Sequence, residues 1–173
     1  MFLKNLNIGF SFIDTFENFN IYKDIIDILS KDNNVIPILS FNNYDLNTIF
    51  SAKNIETTSL KLMLDILVIC PCTSNMIAKL AHDIIDSPFM FIVKSHVNDN
   101  KPIVLAISAD DGLSNAAENI GKLLNTKNYY FVPFKQSNPI TKPYKLYFDK
   151  TYMIKTIEEA IEGKQIQPIL LQI

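Results

Sequence analysis

The sequence holds no arginine and no tryptophan, and only four glycines, two cysteines and two histidines in 173 residues. Each scarcity excludes something. Without arginine, all sixteen basic residues are lysines, so a bound phosphate or carboxylate must be held by ammonium groups, hydroxyls or backbone N–H groups, never by a bidentate guanidinium. The few glycines form no dinucleotide fingerprint, Walker loop or nucleophile elbow, which removes the usual dehydrogenase, nucleotide triphosphatase and serine hydrolase readings. His82 and His96 suggest no metal-binding pattern, and no metal site is expected. Cys70 and Cys72 fit neither a redox nor a zinc motif; they are expected to face different ways and stay unpaired, Cys70 filling the core and Cys72 lining a site. No apolar run approaches the roughly 20 residues that span a bilayer, and the N-terminus lacks a charged region followed by a long apolar stretch, so a cytoplasmic protein is expected. A net charge of −2 and a pI near 5.6 leave no electrostatic footprint for nucleic acid or anionic lipid.

What is present is a core. With 48% hydrophobic and 20% charged residues, the chain must fold, and its length suits one domain over residues 1–173. The organising stretch is Asp65 to Pro88. Ile66, Leu67, Val68 and Ile69 follow one another without polar alternation, as in a parallel strand covered on both faces. Pro71 stops the ladder, Thr73 or Ser74 stands where a helix N-cap belongs, and Met76, Ile77, Leu80, Ala81, Ile84 and Ile85 form the apolar stripe of the helix that follows.

The remaining segments alternate in the same way. A strand over Leu6 to Ile13 leads into a helix opened by Asp14 or Thr15 and reaching about Ser30, with Ile21, Ile25, Ile28 and Leu29 on its apolar face. Val35 to Phe41 reads as a second strand, placed off-centre because of Pro37. Residues 42–64 support a short helix or two and one poor strand. Pro88 begins an apolar helix, and Pro102 to Ser108 is another buried strand. Ala109, Asp110 and Asp111 cap a helix to about Asn125, Tyr129 to Pro133 is a strand, and FKQSNPITKP is a loop of functional length. A last helix spans about Thr151 to Glu162, ended by Gly163. Short apolar strands between helices predict a doubly wound, three-layer α/β/α sandwich with a parallel sheet of five or six strands.

In such a sheet ligands sit at the carboxyl ends of the strands, and anions favour helix N-termini. The polar groups gather there: Ser11 to Thr15, Ser40 to Asn43, Thr73 to Asn75, Ser108 to Asp111 and Phe134 to Asn138. Such a rim of hydroxyls, amides and backbone N–H groups suits a planar, hydrogen-bonding ligand. The neighbours Asp110-Asp111 and Glu158-Glu159 do not face each other on a helix and make no acid/base dyad.

The segment DILVICPCTSNMIAKLA resembles the strand, Pro-x-x-x-Asn turn and helix of the flavoprotein family, which includes the flavin-dependent cysteine decarboxylases. Within it, KPIVLAISADDGLSNAAENIGKLLNTKNYYFVPFKQSNPITKP and TIEEAIEGKQIQPILL are similar to the B subunits of bacterial dipicolinate synthases, over almost the whole chain except residues 42–64, which are shorter here. The resemblance implies a Rossmann-like fold and FMN as cofactor. It also implies a role beside the synthase's nicotinamide-binding A subunit, through which alone NADPH enters, in oxidising a dihydrodipicolinate precursor to dipicolinate during sporulation. Ser11, Asp14, Thr15, Ser40, Pro71, Thr73, Ser74, Asn75, Ser108 and Asp110 become the cofactor-binding candidates; no catalytic residue is assigned. The family's decarboxylases need a histidine in an early loop, which this chain lacks. The alternative reading is a non-catalytic partner with a decayed flavin site. A homo-oligomer is expected from the apolar segments PFMFIVKSHV and QIQPILLQI.

Ile13-Asp14-Thr15 stands where the family has a glycine with a serine to admit the flavin phosphate. Asp14 with Glu17 forms a capping-box pattern, which would satisfy that helix N-terminus without a ligand. A phosphate about 5 Å from Asp14 would be repelled by about 3 kcal/mol per charge pair at an effective dielectric near 20, roughly a hundredfold in affinity. Weak or absent FMN binding is therefore expected, and Asp14→Gly should tighten FMN more than riboflavin. Calorimetric titration of both flavins into both proteins checks this: tight FMN binding by the wild type, unchanged in the variant, would place the phosphate elsewhere.

Overall fold

A computed structural model describes residues 3–12, 19–39 and 63–172. The elements run β1 (Asn7–Phe12), α1 (Phe19–Leu29), β2 (Asn34–Leu39), β3 (Ile66–Cys72), α2 (Ser74–His82), α3 (Pro88–Asn98), β4 (Ile103–Ala109), α4 (Ala117–Leu124), β5 (Tyr129–Phe131), β6 (Phe134–Asn138), β7 (Lys142–Phe148) and α5 (Met153–Ile161). They build one seven-stranded mixed sheet, in which β2, β1, β3, β4 and β5 run parallel and β7 lies antiparallel between β4 and β6. The parallel part has five strands, within the five or six expected, and the antiparallel β6 and β7 are additional to the parallel sheet expected.

All seven residues of β3 are buried, as the unbroken apolar run requires. Alternation sorts the central strands between two layers. Ile8, Phe10, Ile66, Val68, Val104 and Ala106 pack with Tyr22, Ile25, Met153 and Ile157 of α1 and α5. Leu67, Ile69, Leu105 and Ile107 pack with Ile77, Leu80, Phe89, Val93 and Ile120 of α2, α3 and α4 on the other face. Each fully buried aliphatic side chain contributes about 1.5 to 3 kcal/mol, so these strands anchor the sandwich. Among the described strands β2 is outermost, which tolerates Pro37.

Cys70 lies in the α1/α5 core and Cys72 in the α2–α4 core. Residues two apart in a regular strand would share a face; the pairing of β3 with β4 shifts register between Ile69 and Cys72, and this irregularity turns the two thiols apart.

Several boundaries differ from those the sequence predicts. Ile28 is 50% exposed, and Tyr22 and Ile26 complete the buried face of α1 instead. The α2 stripe ends at Ala81: Asp83 takes a left-handed conformation as C-cap, so Ile84 and Ile85 leave the helical face and lie exposed. Asp110 and Asp111 cap no helix. A series of turns follows β4, and α4 starts at Ala117. Thr151 sits in a 3-10 turn capped by Asp149, ahead of α5.

The largest correction concerns FKQSNPITKP, which is a β-hairpin and not a loop. The Asn138 side chain accepts the Ile140 and Thr141 N–H groups at 2.9 and 2.8 Å, an Asx turn that reverses the chain at Pro139. Because β7 pairs with β4 only at Ser108–Tyr147 and Ala109–Leu146, Lys142 to Lys145 project past the carboxyl end of β4. The hairpin thus overhangs the edge where a ligand would sit.

The tail after α5 closes the sheet. Gln165 accepts the Phe131 N–H at 2.7 Å and donates to the Phe131 carbonyl at 2.8 Å. The Phe134 N–H then donates to the Ile169 carbonyl, and the Leu171 N–H to the Phe134 carbonyl. The tail thus joins its own sheet, although Leu170 stays exposed. Gln165→Ala removes both partners of the Phe131 backbone and should cost about 1 to 3 kcal/mol. Denaturant unfolding checks this; an unchanged midpoint would show that the tail contributes nothing to closure.

Candidate functional site at the carboxyl ends of the parallel strands

Two turns meet above the sheet centre. The first leaves β3 and opens α2, where Thr73 is the N-cap residue in an extended conformation but makes no side-chain capping bond. Its hydroxyl is therefore not spent on the helix. Ser74, half-buried, instead donates its hydroxyl to the Asp111 carboxylate in the second turn, the one after β4. This bond ties the ends of two adjacent parallel strands together and sets a carboxylate beside the first residue of α2, where it complements the helix dipole. Asn75 is exposed next to them.

Gly112 keeps the second turn close to the hairpin: a Cβ there would stand 2.8 Å from Leu146 Cβ and Cγ. The Leu113 N–H donates to the Tyr144 carbonyl at 3.0 Å. Asp110 turns away from Asp111 and pairs with Lys145 of β7 at 2.6 Å. The hydrogen bond and charge of Lys145, with the charge of Lys142, hold the Asp110 carboxyl below its ordinary range.

Ser11 lies fully buried near the end of β1, and its hydroxyl has no hydrogen-bond partner among the described residues. Alternation puts it on the same face as Gly9, where Leu64, Ile38 and Leu67 crowd the strand so closely that a Cβ would stand 2.6 to 3.1 Å from their methyl groups. An unsatisfied buried hydroxyl costs about 1 to 3 kcal/mol unless something bonds it, and among the described residues nothing does.

Of the residues singled out in the sequence, Ser11, Thr73, Ser74 and Asn75 lie at the carboxyl ends of β1 and β3. Ser108 is half-buried in β4, paired with Tyr147, and Pro71 is buried within β3. Asp110 faces the hairpin. Asp14, Thr15 and Ser40, with most of 42–64, lie outside the described residues. Cys72 does not line a site: it is wholly buried, and burial drives its thiol pKa upward, as it does for Cys70. The histidines are no closer. His82 is exposed at the last residue of α2, and His96 contacts the Pro102 carbonyl at 2.9 Å, at the opposite end of β4. Burial lowers the His96 pKa, with the Pro102 carbonyl opposing. No group of three or more metal-ligating side chains occurs among the described residues, and none of their helices is long and apolar enough to cross a membrane.

Asp111, Lys142 and Lys145 belong to this region without being cofactor-binding candidates from the sequence. The alternation of Lys145 and Tyr147 with the more buried Leu146 in YKLYF is the available signal for a strand there.

A doubly wound sheet with hydroxyls and helix N-termini at its carboxyl edge is the architecture of nucleotide- and flavin-binding proteins, and the family model for flavoproteins matches residues 13–160. The chain belongs to the flavoprotein family. It is 31% identical to the dipicolinate synthase B subunit of Bacillus subtilis strain 168, over 98% of this chain and 96% of that one. The crystal structure of the dipicolinate synthase B subunit from Bacillus halodurans is 28% identical, with a TM-score of 0.83 over 99% of both chains. An FMN-dependent cysteine decarboxylase shares the fold at 16% identity, with a TM-score of 0.61 over 91% of this chain and 97% of that one.

Both thiols should stay silent toward a thiol reagent such as dithionitrobenzoate in the native protein and react on unfolding, because attack requires an accessible thiolate. Rapid labelling of either cysteine under native conditions would contradict their burial.

Proposed function

We propose that this chain is the B component of a two-component dipicolinate synthase, acting in sporulation with a nicotinamide-binding A component. The observation that carries the reading is the full-length likeness to two dipicolinate synthase B subunits, with the site's turns lying inside the matched region. Two electrons and two protons leave a dihydropyridine dicarboxylate as its ring becomes aromatic. The oxidised nicotinamide held by the A component takes the two electrons with one proton as a hydride, becoming NADPH, while the second proton leaves to solvent, so NADPH belongs to the partner. FMN, if this chain bound it, would supply a two-electron relay between the dicarboxylate and that nicotinamide. Ser11, Thr73 and Asn75 fit the polar edge of such a planar ring, and Ser74 is fixed by Asp111 so that the α2 N-terminus keeps one orientation. These groups bind and orient. The chain works in the cytoplasm as a homo-oligomer on this reading.

A second reading has a specific observation behind it. Ile13-Asp14-Thr15 stands where the family places a glycine with a serine, which favours a protein that keeps the fold and activates the A component without holding flavin. An independent decarboxylase is disfavoured by the positions of the two histidines.

Combining the purified chain with the nicotinamide-binding component of a dipicolinate synthase, and following the ultraviolet absorbance of pyridine-2,6-dicarboxylate, tests the proposal. Product should form only when both are present; equal rates without this chain would overturn it, and the visible spectrum of the purified protein reports flavin separately. Asn75→Ala should weaken ligand binding by roughly 1 to 3 kcal/mol while leaving the melting temperature unchanged. Equal loss of binding and stability would reduce Asn75 to a structural residue.

A further inference from the structure

The overhanging hairpin and Asp110 of the turn after β4 border an open groove of about 360 Å³ lined by Asp110, Thr141, Lys142, Pro143, Tyr144 and Lys145. Its charges are unevenly sheltered. In the Lys145–Asp110 pair the lysine side chain is 29% exposed and the aspartate 86% exposed. The cation belongs to the groove wall, whereas the carboxylate can return to water at little cost. Lys142 brings a second positive charge to the same wall. Of the neighbouring charges, the Asp111 carboxylate stays negative but is hydrogen-bonded to Ser74 and does not line the groove, and Lys135 on β6 pairs with Asp149 at 3.7 Å. Two ammonium groups against one displaceable carboxylate leave a site that favours an anion, and Tyr144 and Thr141 add an aromatic surface and a hydroxyl.

We propose that Lys142 and Lys145 form a binding site for a small planar dicarboxylate, in which Asp110 is an internal stand-in that the ligand displaces. The identity of that dicarboxylate rests on the function proposed above; the site itself rests on the groove. Asp110 then tunes affinity: it keeps Lys145 occupied until a doubly charged ligand arrives, and discriminates against monocarboxylates, which gain only one of the two contacts.

Calorimetric titration with pyridine-2,6-dicarboxylate, pyridine-2-carboxylate and an oligoglutamate tests this on the wild type, Asp110→Asn and the double variant Asp110→Asn/Lys145→Gln. Removing the exposed competitor should tighten the dicarboxylate about fivefold, and removing Lys145 as well should weaken it roughly tenfold from there. The monocarboxylate should bind more weakly throughout, and rising salt should weaken all binding. No gain in Asp110→Asn, or no loss in the double variant when thermal melts show both folded, would overturn the site. The same gain for oligoglutamate with none for the dicarboxylate would overturn a small-molecule ligand in favour of an acidic protein segment. FMN titration of the same variants separates the readings. Dicarboxylate binding without FMN binding removes the flavin and keeps the groove, and FMN binding without dicarboxylate binding does the reverse.

Discussion

Burial of the two central strands on both faces is the constraint from which the rest follows. Apart from half-buried Ser108, every residue of β3 and β4 is buried, and such strands can carry no polar chemistry along their length without stranding it in the core. Helices must therefore cover both faces. Polar side chains are pushed to the strand ends, and the carboxyl ends receive the turns that open α2 and lead to α4. Ser11 is the exception within the sheet, a hydroxyl inside the core one residue before β1 ends, with no partner among the described residues.

That same constraint explains what can be read in the sequence. Unbroken runs such as ILVIC and IVLAIS identify the buried parallel strands directly, and the helical stripes follow because period and burial agree. The turn at Thr73 to Asn75 is legible because Pro71 and the small polar residues punctuate the apolar run. Three things are not. The hairpin reads as a loop because its two strands are partly exposed and carry lysines and prolines, so hydrophobic pattern cannot reveal them; its defining feature is a local side-chain bond at Asn138. Exposure of Ile84 and Ile85 depends on Asp83 ending the helix in a left-handed conformation, a decision made by one residue's backbone. The separation of Cys70 from Cys72 follows from a register irregularity, which no composition discloses.

The site is correspondingly divided. Its β3 side is built from short-range signals and is visible in the sequence; its β4 side depends on tertiary pairing. Asp110 and Asp111 are adjacent and chemically identical in the sequence, yet one faces Lys145 on β7 and the other Ser74 on α2. Only the placement of β7 beyond the end of β4 gives them different partners. The two carboxylates thereby brace one turn from opposite sides, linking helix α2 to the hairpin.

The segment Gln165–Leu171 occupies the backbone groups of Phe131 and Phe134 along the outer rim of the sheet. During synthesis from the N-terminus, the chain presents this rim bare until those residues emerge, and an uncovered strand edge is a template for pairing with another chain. The last part of the described chain to be made is thus the part that covers this rim, so between making β6 and delivering the tail a nascent molecule carries an edge there that the finished one does not.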